Sequence, residues 1–364
     1  MKVNHLVFQI HKWSGFLIAV VIILIALTGS LLVFLDEIDE DLSPEIKFVS
    51  PLPQKVPIDK IIASVRAKQP EVVVKGINLG RNRDRAFEIE LELNHQRYTA
   101  QVNPYTAEVL DISQSRFYLV NFIYSIHTSL LIPPWGDLLV ALTAWLFTVS
   151  SLTGLWVQRK FLFRVFKIGI RRNKSTKTAY SDLHKLTGTL SFLTNVILGA
   201  TGVYISLYAF DPTFLKNEKH LHTKLSFPLP YSLDSLVNHS SAEIAGFEPD
   251  YISFQRDEKQ EIVVYGKIPY GNSLYTPKYS SASLAYHFTN GRLTEKSDLR
   301  KKGFWEQFSA FGHEFHYGKY AGLSSRIIYF IGGLLPVVLA ISGMIIWWKK
   351  NQKSRKPANL ISKV

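Results

Sequence analysis

Long uncharged runs alternate along the chain with stretches in which apolar and polar residues interleave. A helix needs roughly 20 apolar residues to cross a hydrocarbon core of about 30 Å. Four runs meet that length: Trp13 to Leu35, Leu138 to Val157, His184 to about Phe210 and Ile327 to Trp348. No other run is long and apolar enough, so the pattern predicts four membrane helices. The first run exceeds the apolar centre of a signal peptide, about 7 to 15 residues. An acidic run, DEIDED, follows it in place of a small-residue cleavage site, so it is expected to remain as a helix. The third contains Asn195 with several Gly and Thr residues, which suits close packing in a bundle better than lipid exposure.

The interleaved stretches read as α+β. Ile58 to Lys68 has a helical pattern closed by Pro70, and in FEIELEL the residues Phe87, Ile89, Leu91 and Leu93 alternate with charged ones. YTAQV from Tyr98, the NPYT turn from Asn103 and AEVLDI form a predicted hairpin. Further on the order recurs loosely. SLDSLVNHSSAEIA is helical in pattern, YISFQ and EIVVYGKI are strands about the RDEKQ turn, and SLAYHF leads into a TNGR turn. Two copies of helix followed by hairpins predict two similar modules packed into one domain. The long PYGNSLYTPKYSS connection leaves room for a ligand-facing loop.

Composition narrows the class. Of 364 residues 47% are hydrophobic and 20% charged, which excludes a disordered or fibrous chain. Cysteine is absent, which excludes disulfides, cysteine-held zinc or iron–sulfur clusters and covalent haem attachment. The net charge of +13 is concentrated beside the spans. Eight basic residues and one acidic lie between Arg159 and Asp182, and six basic and no acidic residues lie from Lys349 onward, whereas the first span is followed by Asp36, Glu37, Asp39, Glu40 and Asp41. The positive-inside rule then places both termini and the 159–182 loop in the cytoplasm, with the two interleaved stretches outside. Tryptophans at 13, 135, 145, 156, 347 and 348 mostly mark the span ends. Nucleic acid is not an expected partner, because the positive charge flanks membrane spans and no phosphate-binding glycine loop is present.

Among eleven histidines, five occupy matched places. His11 and His184 stand at the cytoplasmic entries of the first and third spans. His127 lies just outside the second, and His313 and His316 just outside the fourth. Two opposed pairs at different depths are what a transmembrane electron path through two bis-histidine haems requires. Neutral imidazoles occupy both axial positions of haem iron without bringing charge into the hydrocarbon zone. Gly15, Gly29, Gly188, Gly199, Gly202, Gly332 and Gly333 make room for a flat macrocycle. The plainer reading is that these histidines cap helices or make polar contacts at the interface. HEFH is one residue short of the zinc-peptidase spacing. His220 and His222 read as a solvated loop, and His5, His95, His239 and His287 carry no spacing argument. External Lys216, Lys219, Lys224, Lys267 and Lys278 are candidates for attracting an anionic ligand, or ordinary solvated charges.

The segments HKWSGFLIAVVIILIALTGSLLVFLDEID, SDLHKLTGTLSFLTNVILGATGV and FHYGKYAGLSSRIIYFIGGLLPVVLAISGMIIWWKK resemble the PepSY-associated transmembrane helix family. IHTSLL, SLTGLWVQRK and the external NPYTAEVLD extend that resemblance over nearly the whole chain. The family includes inner-membrane ferric-siderophore reductases and related iron-uptake proteins. The resemblance implies a four-transmembrane-helix bundle with periplasmic α+β PepSY-like modules and two b-type haems. It implies His11 with His184 as axial ligands of the inner haem and His127 with His316 for the outer, with His313 the rival to His316. IPPW at Ile132 to Trp135 departs from the glycine-rich turn more familiar there, and the external loops carry no substrate motif.

The expected organisation is a cytoplasmic N-terminus and first span (1–35), a periplasmic module (36–125), the second span and its approach (126–158) and a basic cytoplasmic loop (159–183). The third span (184–210), a second periplasmic module (211–320), the fourth span (321–348) and a basic cytoplasmic tail (349–364) follow. The expected function is electron transfer from a cytoplasmic flavin- or nicotinamide-dependent reductase, or a membrane quinol, to a periplasmic ferric siderophore. The competing expectations are a membrane-anchored binding or regulatory module without haem, and a haem conduit to a different acceptor.

Overall fold

In a lipid core the backbone has only itself to hydrogen-bond with, so uncharged sequence there becomes helix. The computed structural model describes residues 2–80, 82–94, 96–114, 119–209, 228–254, 261–268 and 281–354. Its helices are α1 (Lys2–Leu32), α2 (Leu35–Leu42), α3 (Pro44–Lys47), α4 (Ile58–Lys68), α5 (Leu119–Ser129), α6 (Trp135–Gln158), α7 (Arg164–Ile168), α8 (Thr176–Leu190), α9 (Phe192–Ala209), α10 (Leu233–Glu243), α11 (Phe304–Tyr317) and α12 (Gly322–Ser354). Among the described residues α1, α6 and α12 are each long and apolar enough to cross a membrane. Pro134 ends the IPPW turn as the cap before α6, so its prolines fall outside the helix, where they cost no backbone bond.

The third predicted span is not one straight helix. α8 and α9 meet that test only together, as a pair bent by 67°. The helical stretch also begins at Thr176, well before His184. Side-chain oxygens take up backbone carbonyls on both sides of the bend. At the junction Ser191 Oγ donates to Thr187 O at 2.8 Å and Thr194 Oγ1 to Ser191 O at 2.9 Å. Hydroxyls that bond back to the preceding turn bend helices. The predicted end of this span at Phe210 lies outside the described residues.

The strands are β1 (Val73–Asn78), β2 (Phe87–Leu93), β3 (Gln96–Val102), β4 (Val109–Gln114), β5 (Glu248–Phe254), β6 (Glu261–Lys267), β7 (Ala282–His287) and β8 (Leu293–Asp298). They form one antiparallel sheet in the order β4-β3-β2-β1-β5-β6-β7-β8. Its two halves meet where Ile77 of β1 faces Ile252 of β5. The predicted repetition of helix and hairpins is therefore real, and the halves share one core. Ile61, Ile62 and Val65 of α4 and Leu233 and Leu236 of α10 pack on Ile77, Ile89, Leu91, Ile252, Ile262 and Leu284. The two helices cap each other. Asp234 accepts from the Ile58 amide at 2.8 Å, and Asp59 accepts from the Leu233 amide at 3.1 Å, placing carboxylates at both positive helix ends.

Duplication extends through the whole chain. His11, Lys12, Gly15, Thr28 and Gly29 recur 173 positions later as His184, Lys185, Gly188, Thr201 and Gly202, while His127 and Gly154 recur 189 positions later as His316 and Gly343. The packing obeys the same two-fold. α1 lies against α6 and α12, and the α8–α9 pair lies against α12 and α6. The matches of Ser191 and Asn195 are Ile18 and Ile22, both buried, and α1 runs on unbroken where its counterpart bends.

Arg326, near the start of α12, donates to Val33 O at 2.6 Å and pairs with Glu37 of α2 at 2.5 Å. On the same helix Glu40 pairs with Arg85 at 2.7 Å and Asp39 with Lys47 at 3.0 Å. The acidic run after the first helix thus clips the sheet domain to the helices.

The chain passes from β8 into α11 at Asp298, whose carboxylate accepts from the Arg300 guanidinium at 2.7 Å and from its amide at 3.0 Å. Those bonds hold the Asp298 carboxyl below its ordinary range. A depressed folded-state value stabilises the fold at neutral pH, and that contribution disappears as acid protonates the group. Asp298→Asn is expected to lower the thermal midpoint at neutral pH. As the pH falls below the ordinary carboxylate value of about 3.9 the difference from wild type should shrink, and it should vanish only once the pH is below the depressed folded-state value.

Candidate functional site

The matched histidines meet in two pairs. The rings of His11 on α1 and His184 on α8 have centroids 6.1 Å apart, and so do those of His127 on α5 and His316 on α11. Along α1, Gly29 beside the second pair lies 18 positions beyond His11, about 27 Å at 1.5 Å per residue. The second pair is the one nearer the sheet, since α5 and α11 are the helices that leave it.

Each ring is held through Nδ1. His11 Nδ1 donates to Ser150 O and His127 Nδ1 to Ile25 O, both at 2.9 Å. His184 Nδ1 lies 2.9 Å from Ser342 Oγ and His316 Nδ1 2.9 Å from Thr201 Oγ1. Those hydroxyls spend their own hydrogens on Val338 O and Ile197 O, each at 2.6 Å, so they can only accept from the imidazoles. All four rings therefore carry the proton on Nδ1. Among the described residues no Nε2 of the four has a hydrogen-bond partner, leaving four lone pairs oriented by fixed bonds behind them, as histidine ligands need.

A glycine stands against each ring. A Cβ on Gly29 would lie 2.6 Å from His127 Cε1, and one on Gly154 would lie 2.9 Å from His11 Cε1. The corresponding distances are 3.4 Å for Gly202 to His316 and 3.5 Å for Gly343 to His184. Each glycine follows a hydroxyl residue, Thr28, Thr153, Thr201 or Ser342. One Ser/Thr–Gly step per helix thus seats one histidine of its neighbour.

Each pair opens into a cavity. The first, about 460 Å³, includes His11, His184, Gly15 and Gly188, with Lys12, Lys185 and Lys350 among its lining. The second, about 370 Å³, includes His127, His316, Gly29, Gly199, Gly202 and Gly333. Both volumes fall in the range of cofactor-sized sites, about 300 to 1,000 Å³. Two imidazoles facing one metal at about 2.0–2.1 Å per nitrogen have centroids roughly 6.3 Å apart. The observed 6.1 Å in both pairs fits that arrangement. Opposed neutral imidazoles, glycine walls and flanking positive charge together fit a flat macrocycle carrying its own metal.

The other histidines are elsewhere. His313 packs against Tyr204 and Tyr317 and does not line the second cavity, so His316 is the one facing His127. His239 meets Tyr286, His287 caps its own turn at Thr289, and His5 lies beside Gln9. Lys267 ends β6, and Gly332 faces Thr194 without lining either cavity. His95, His220, His222, Lys216, Lys219, Lys224 and Lys278, with most of the PYGNSLYTPKYSS connection, lie outside the described residues. Sequence reasoning missed α5 and α11, which carry the second pair, and the glycines at 154 and 343.

Apolar helices built around paired polar side chains, joined to an antiparallel sheet, define a helical membrane protein with an attached α+β domain. The chain belongs to the PepSY-associated TM region family, whose match covers residues 8–350. No curated protein matches it significantly.

Proposed function

We propose that the chain crosses the bacterial inner membrane four times, the α8–α9 pair counting as one crossing, with both termini cytoplasmic and the sheet domain periplasmic. In this reading it conducts electrons across the membrane through two b-type haems. The observation that carries it is the pair of matched histidine sites, each with 6.1 Å between rings, held through Nδ1, and with no partner on either Nε2 among the described residues. When bound, haem supplies reversible one-electron chemistry at iron. The chain supplies the rest. His11 and His184 hold the cytoplasmic site, and His127 and His316 the periplasmic one. Two neutral imidazoles at each site would hold a haem in a form suited to electron transfer rather than direct ligand activation. Lys12, Lys185 and Lys350 place positive charge beside the first site, where the carboxylates of a haem require it.

The reading makes the protein an oxidoreductase. Its acceptor is a ferric siderophore held beside the second site by the sheet domain, and its donor is a cytoplasmic flavin- or nicotinamide-dependent reductase or a membrane quinol. Reduction weakens the grip of hard oxygen ligands on iron, so the metal leaves with the chelator intact. A membrane-anchored binding module, the competing reading, gives no reason for four oriented lone pairs. The test is made in sealed vesicles containing the purified protein and a trapped reductant, with ferric siderophore and an impermeant Fe(II) indicator outside. External Fe(II) should appear many times faster than in protein-free vesicles. A rate equal to theirs overturns the proposal.

A further inference from the structure

The internal two-fold breaks where the two cavities meet. Ile22, Phe147 and Pro336 line both cavities, and Asn195 lines the first alone. Under the two repeat offsets Ile22 matches Asn195 and Phe147 matches Pro336. Four residues thus form the septum as two matched pairs, and in one pair an apolar side chain has become an amide.

Asn195 is 2% exposed. Its Nδ2 donates to Ser191 Oγ at 2.9 Å, and that hydroxyl already donates to Thr187 O. Ser191 can only accept here, so the amide cannot be turned round, and Oδ1 is the free end. Among the described residues Oδ1 has no hydrogen-bond partner. A bare amide oxygen in an apolar interior is disfavoured unless positive charge nearby offsets its partial negative charge.

We propose that Asn195 sets the potential of the first site. Its amide dipole holds the haem between His11 and His184 at a lower potential than the haem between His127 and His316. The inference rests on the two-haem reading and adds a direction to it. The oxidised haem, with two neutral imidazoles, carries one more positive charge than the reduced one. A nearby partial negative charge therefore favours oxidation and lowers the potential of that site. Ile22, at the matching place, offers no such dipole. The step moves one electron from the first site to the second, which oxidises one iron and reduces the other without transferring a proton or breaking a bond.

Spectroelectrochemical titration of the purified haem-loaded protein tests this. Wild type should show two separate one-electron steps. Asn195→Ile should raise the lower step by roughly tenfold in its equilibrium constant, about 59 mV for one electron. The upper step and the haem content should not change. Asn195→Gln, which keeps the amide, should stay near wild type. Ile22→Asn adds an amide at the matching place and should move the lower step the opposite way, so the idea stays testable if Asn195→Ile fails to fold. Unchanged potentials in haem-replete Asn195→Ile, or an equal shift in Asn195→Gln, overturn the proposal. Wild-type protein without haem overturns the underlying two-haem reading instead.

Discussion

Replacing either His127 or His316 with alanine is expected to halve the haem bound per chain, with the remaining half still held by His11 and His184. The rings face each other at 6.1 Å, so each supplies one side of a single site. Losing either side would leave a haem there with one protein ligand instead of two. The single variants should therefore resemble each other, and the double variant His127→Ala/His316→Ala should lose little more than either alone, since residues acting as a unit are not additive. One change in each pair, such as His127→Ala with His184→Ala, should abolish haem binding. His313→Ala is the control, because that ring rests on Tyr204 and Tyr317, and it should keep full haem content. Pyridine haemochrome assay on purified variants reads all of these. If the histidines were only polar contacts at helix ends, no variant would change the visible spectrum.

The second large effect is expected from glycines that touch no charged group. Alanine at Gly29 or Gly154 places its Cβ 2.6 or 2.9 Å from a histidine ring atom, closer than carbon atoms pack. That ring is pinned behind by its Nδ1 bond to a helix carbonyl, so it cannot simply withdraw. Overpacking of this kind costs about 1–3 kcal/mol, so Gly29→Ala and Gly154→Ala should bind haem roughly 5- to 150-fold more weakly. Alanine at Gly202 or Gly343 meets its ring at 3.4 or 3.5 Å, near ordinary contact, and should be tolerated. Valine at any of the four should eject haem from the cavity concerned. The rate of haem loss to an excess of apomyoglobin measures the series. Equal behaviour of all four alanine variants would contradict the role given to these glycines.

Different features of the fold were legible for different reasons. Uncharged runs announce helices in lipid, and histidines at their ends stand out against an apolar background. Alternation announces a half-buried strand, as in Phe87 to Leu93, which is β2 as read. β1 was missed because Val73–Asn78 is short, carries Gly76 in its middle and shifts register between Val74 and Gly76, so it does not alternate cleanly. The acidic helix α2 was missed because LDEIDEDL has few apolar residues, and only its ion pairs to Lys47, Arg85 and Arg326 explain it. Hydropathy is also blind to the bend at Ser191, since the polar residues there bring no charge into the run.

The site was half visible. The histidines could be found by position, but their seats could not, because a Thr–Gly or Ser–Gly step is common in any membrane helix. What marks Thr28–Gly29, Thr153–Gly154, Thr201–Gly202 and Ser342–Gly343 is their recurrence at the same two offsets as the histidines. That comparison requires treating the whole chain as a duplication, whereas the sequence reading recognised a repeat only in the α+β segments. Asn195 reads in isolation as a packing residue. Its match to Ile22 and its bare Oδ1 become visible only with the two cavities in place.

The central claim is that two matched histidine pairs hold two haems in one chain. The most direct measurement is the reduced-minus-oxidised visible spectrum of detergent-purified wild-type protein, expressed with ample haem supply and quantified as pyridine haemochrome against protein mass. The account predicts a b-type spectrum with two haems for each chain. Folded protein with no haem would contradict it and leave the sheet domain as a membrane-tethered binding module.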